Sequence, residues 1–233
     1  MDFLETSVGR LKKREKDLAR YAVIIEAVNN TDVSQDAGFQ KTFTYFYRVR
    51  RDTEWRKTYY SLFEERKERE KTSFEDILRA LYERTGRIEA SFSSKMLASI
   101  DPQKPIWDKI ILKKLGLSPK TTGKEEDRLS NAVEIYKKIE GWYEDFLKGE
   151  EAKRYIEAFD NEFSQYTSFA DIKKIDFILW GGGIDLPMPY TLYQIDGIIE
   201  TPAAVTEEEF SHIFLEFIER NGWSFNGGIN KAE

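Results

Sequence analysis

The chain has 233 residues, with 36 Lys/Arg against 42 Asp/Glu, one His and no Cys. The missing thiols exclude disulfides, a cysteine nucleophile, iron–sulfur ligation and cysteine zinc sites, and a lone histidine supports neither a triad nor a metal cluster. The net charge of −6 is uneven: residues 1–150 carry 30 basic and 27 acidic side chains, residues 151–233 carry 6 and 15, so only the first part can present a basic patch for nucleic acid.

The N-terminal thirty residues are charged where a signal peptide needs an apolar segment, and no stretch approaches the roughly 18 apolar residues of a membrane span. A cytoplasmic protein that neither crosses nor binds a membrane is expected, with no cofactor and no metal. Val8, Leu11, Leu18, Ala22 and Ile25 recur at helical steps and predict one amphipathic helix over 7–28, ended by the polar segment 29–38. Phe39, Phe43 and Phe46, then Trp55, Tyr59 and Leu62, continue that period, interrupted by Arg48-Val49-Arg50-Arg51. These arginines either track phosphates or form a solvated face. The run 65–71, Glu-Arg-Lys-Glu-Arg-Glu-Lys, reads as a solvated helix end.

Thr72 or Ser73, with an acid three residues on, caps a helix carrying Phe74, Ile77, Leu78 and Leu81 that stops at Thr85-Gly86. A second helix spans about 90–100, and Pro105 opens a third, with Trp107 as core anchor and Gly116 as C-cap. Leu129–Leu147 reads as a long helix, followed by runs near 151–159 and 168–180. Gly181–Gly183, Pro187 and Pro189 are linker chemistry. After them come a strand within 191–202, a helix opened by Thr206–Glu209 and a short strand at 223–225. The fold class expected is therefore mainly α, a helical body over 1–182 with a small α+β appendix over 183–233.

Thr85 to Lys109 is the stretch richest in candidate chemistry. Two helices joined at Gly86 make a hairpin, and small residues (Ala90, Ser91, Ser93, Ser94) open the second helix where a close backbone approach would need them. Helix N-terminal amides together with Arg87 suit a phosphate. Lys95, on the same helix, either binds backbone phosphate or is simply exposed. Asp108 is also explained as a first-turn acid of the helix after Pro105.

On these residues the segment resembles the helix-hairpin-helix DNA glycosylases, in particular bacterial relatives of the 8-oxoguanine glycosylases. Thr85-Gly86-Arg87-Ile88 takes the place of the hairpin, and Pro105-Ile106-Trp107-Asp108 that of the family's Pro-x-Asp, at a spacing of eighteen positions from Ala90 to Asp108. The resemblance implies DNA as partner, Gly86, Arg87, Ser91, Ser94 and Lys95 as DNA-binding residues, and Asp108 as the catalytic carboxylate. Ile88 replaces the second hairpin glycine, and Ala90 occupies the position of the lyase-type lysine. That leaves a monofunctional, Asp-assisted base excision, in which the carboxylate stabilises an oxocarbenium-like sugar and orients water. Val205–Asn230 is similar to a small bacterial strand–helix–strand family associated with ribosomes, which implies a partner-binding appendix. The alternative is a non-catalytic interaction protein that keeps the helical scaffold and meets a protein partner through residues 183–233.

Overall fold

The amphipathic N-terminal segment folds as two helices rather than one. A computed structural model describes residues 3–69, 71–182, 198–221 and 229, and places α1 at Phe3–Lys12 and α2 at Glu15–Asn30. Lys12 to Asp17 holds no apolar side chain, so no continuous face can be buried there. The chain turns instead, through Arg14 N–H to Leu11 O (2.7 Å) and Asp17 N–H to Arg14 O (2.7 Å). α1 then packs on α10 (Asp171–Gly182) and α9 (Glu150–Glu162), while α2 packs on α3 (Ala37–Phe46) and α6 (Ala90–Ile100).

Two asparagine-free caps start the next elements. Asp36 accepts the Phe39 amide at 2.8 Å to open α3, and Asp52 accepts the Trp55 amide at 2.9 Å to open α4 (Thr53–Lys67). The aromatic stripes then meet: the Phe43 ring lies 4.6 to 5.9 Å from those of Phe39, Tyr47, Tyr59, Tyr60 and Phe63. The run 65–71 does more than face solvent. Glu65 holds Arg84 through two contacts (2.6 and 2.8 Å), and Lys67 donates to Thr31 O at 2.7 Å, so the segment ties α4 to its neighbours.

α5 (Phe74–Thr85) begins with a reciprocal box between Ser73 and Asp76 and ends on Gly86 at φ +66°, as its sequence predicts. It packs on α4, α6 and α8 (Glu125–Leu147). The expected helix start at Pro105 moves. Residues 105–107 form no helix, and α7 (Lys109–Leu115) begins only after Asp108. Tyr136 donates to Pro105 O at 2.9 Å, and Ser94 accepts from Trp107 N–H at 2.9 Å, so tertiary bonds take the place of helical ones. Trp107 is a core anchor, stacked against Phe74, which in turn stacks on Tyr136 at 3.9 Å.

α10 runs two residues into the glycine triplet read as linker. It carries three buried charges, Lys173, Lys174 and Asp176. The chain divides into two compact units, Met1–Pro189 and Tyr190–Glu233. In the second unit α11 (Glu207–Arg220) is opened by a box in which Thr206 N–H reaches Glu209 (2.9 Å) and Glu209 N–H reaches Thr206 Oγ1 (3.2 Å). Among the described residues there is no strand. Of the two expected strands, residues 198–202 are irregular, while 191–197 and 223–225 lie outside the described residues. No described helix is long and apolar enough to cross a membrane.

Candidate functional site

The residues expected to contact DNA fall into two groups. Gly86 and Arg87 sit at the hairpin turn, in a surface cleft of about 360 Å³ shared with Arg51, Glu89, Glu125 and Arg128. Its charge is mixed. Arg51 is bound by Glu89 through two contacts (2.9 and 3.0 Å), which hold its guanidinium above its usual pKa, and it lies over the Phe92 ring at 5.2 Å. Arg87 is exposed and makes no ion pair among the described residues.

Ser91, Ser94, Lys95 and Asp108 gather around the non-helical Trp107 segment. Ser91 Oγ donates to Trp107 O (3.0 Å) and accepts from Lys95 Nζ (2.8 Å). Ser94 Oγ donates to Ser91 O (3.0 Å) while accepting the Trp107 amide. Small side chains at the start of α6 thus let the 105–107 backbone approach closely. Lys95 lies over the Phe92 and Tyr47 rings at 5.1 and 6.0 Å. Burial pushes its ammonium down to about 8, against the pull of Asp108 and Glu89.

Asp108 is the N-cap of α7, one position earlier than a first-turn acid. Its Oδ1 accepts the amides of Ile110 (2.8 Å) and Ile111 (2.9 Å), and its Oδ2 accepts the Trp180 indole N–H. Behind it, Asp176 is buried. It accepts Tyr143 O–H at 2.5 Å and Lys173 Nζ at 2.8 Å, and burial raises its pKa despite that ammonium.

Trp180 leads from this buried network to the surface. It lines an open cleft of about 440 Å³ with Phe46, Tyr45, Arg14, Arg48 and Arg50. Asp17 is the acidic side chain in that wall, and it is held by Arg14 (3.0 Å) and Arg20 (2.8 Å). Arg14 also donates to Trp180 O at 3.3 Å. Arg48 and Arg50 are exposed and form no ion pair among the described residues. The arginine run marked this region in the sequence. Arg14 and Trp180, 166 positions apart, carried no such mark.

Among the described residues no group of three His, Asp or Glu side chains could hold a metal ion. No protein-family model, curated protein or solved structure matches the chain.

Proposed function

We propose that the helical unit binds DNA through its arginine-lined cleft, as a DNA-binding protein of the helix-hairpin-helix glycosylase type. One observation carries the reading: the Arg48 and Arg50 side chains stand exposed beside Arg14 with no ion pair among the described residues, and Asp17, the carboxylate lining the cleft, is already engaged. A guanidinium without an internal partner is available for phosphate, which it matches in geometry and charge. Arg87 at the hairpin turn is a second contact of the same kind.

A catalytic role for Asp108 is favoured by one feature. Trp180 touches Asp108 on one side and lines the cleft on the other, so the carboxylate lies a single side chain from the proposed DNA surface. In this mechanism the ionised Asp108 stabilises positive charge developing on the sugar and aligns water, while the helix amides hold the carboxylate in place.

Binding is tested by fluorescence anisotropy on labelled DNA at several salt concentrations. Arg48→Ala, Arg50→Ala and Arg87→Ala should each weaken affinity on all sequences and lower the duplex salt slope by about 0.9. Absence of binding at low salt overturns the reading. Catalysis is tested on duplexes bearing damaged bases, with alkali to reveal abasic sites. Asp108→Asn should then slow base release by about a hundredfold or more. Equal release by both proteins, or none by either, removes the catalytic part and leaves the binding part standing.

A further inference from the structure

Tyr45 has no place in the phosphate contacts just described, yet it stands at the same cleft with two thirds of its surface exposed, 66 %. Its position on α3 explains why. Phe39, Phe43 and Phe46 follow the buried stripe, and Tyr45 falls two positions after Phe43, on the opposite side. An exposed tyrosine is ordinary; a held one is not. The Arg20 guanidinium covers one face of the ring, 4.6 Å from its centre, and Arg20 is itself fixed by Asp17 at 2.8 Å. The Arg48 amide bonds to Tyr45 O at 3.4 Å, which sets the ring beside the arginine turn. Among the described residues no aromatic ring packs on its other face.

Resting on the DNA-binding reading above, we infer that the cleft takes single-stranded DNA, with one unpaired base stacked on Tyr45 and the flanking phosphates on Arg14, Arg48 and Arg50. Charge complementarity selects a polyanion, and the aromatic face selects which form of it. In a duplex the base faces are hidden against one another, so an exposed ring beside a phosphate track gains nothing from them. In a single strand each base offers a face, and a ring carrying a cation behind it stacks on any of the four. A cleft of about 440 Å³ lies within the roughly 300–1,000 Å³ of small-molecule sites, enough to seat a nucleotide unit.

The test uses the full chain with a labelled thymine oligonucleotide, the matching duplex, and a strand carrying 2-aminopurine. The single strand should bind more tightly than the duplex, and 2-aminopurine fluorescence should be quenched. Tyr45→Ala should weaken single-strand binding about tenfold without changing the salt slope, and should abolish the quenching. Tyr45→Phe should behave as the parent. Arg50→Ala should lower the single-strand slope by about 0.7. Thermal melting checks that each variant is folded, which the exposure of Tyr45 favours. Unchanged single-strand affinity in Tyr45→Ala, or preference for the duplex, overturns the inference while duplex binding sensitive to Arg48 and Arg50 leaves the parent reading intact. No binding to either form overturns both.

Discussion

The two sides of Trp180 treat charge in opposite ways. Beneath it, Lys173, Asp176 and Tyr143 close on one another, and Asp108 is held in place by two amides and an indole. Above it, the guanidinium groups of Arg48 and Arg50 make no ion pair among the described residues. Buried charge must be answered within the protein, because desolvation is costly. Exposed charge can stay open for something outside. The comparison separates polar groups answered within the fold from those open to a ligand, although Trp180 borders both.

The sharpest break should come from the closed side. Lys173→Met leaves Asp176 buried without its cation and should cost about 3–5 kcal/mol in urea unfolding, whereas Lys173→Met with Asp176→Leu should recover most of that loss. A single variant close to the parent would mean that this network contributes little.

Lys95 tests the same side through pH. Its folded pKa, about 8, lies below the ordinary 10.5, so between those values the unfolded chain holds a proton that the folded chain has released. Stability contributed by this site therefore rises with pH across that window, by at most about 3 kcal/mol. Lys95→Met should be more stable than the parent at neutral pH and should lack the rise. Parallel stability–pH curves would assign Lys95 to the solvent.

Asp108 comes next. Asp108→Ala should cost about 1–2 kcal/mol as the loss of an N-cap, and Asp108→Asn only a few tenths, since both are good caps. An equally large loss in both would point to the charge facing Trp180 as the stabilising element. On the open side, Arg50→Ala should change stability by less than about 0.5 kcal/mol while weakening DNA binding. A large loss of stability there would show that the cleft is structural after all.

Much of this was legible in the residues. The stripe of Phe74, Ile77, Leu78 and Leu81, the Ser73–Asp76 box and the glycines ending α5 and α7 depend on neighbours a few positions away, and local pattern carries them. The non-helical run before α7 was not legible, because its hydrogen bonds come from Ser94 and Tyr136, 13 and 31 positions distant. The same reason governs the site. Serines 91 and 94 read as room for a close backbone approach, and they provide it, yet the backbone that approaches is Trp107. The exposed phase of Tyr45 could be read from the Phe39–Phe43–Phe46 stripe; the Arg20 guanidinium behind it could not.

The turn that ends α3 has one more consequence. Val49 N–H reaches Thr44 O at 3.0 Å and Arg48 N–H reaches Tyr45 O, a closure that most often places glycine in the left-handed position. Here that position is Arg48, at φ +53°. A side chain there is disfavoured by roughly 1 kcal/mol, which glycine would relieve. Evolving a library for heat resistance alone should therefore drive position 48 toward glycine or asparagine, trading the cation for a relaxed backbone. Evolving it for retention on DNA should keep arginine, so the two lineages would diverge first at this residue.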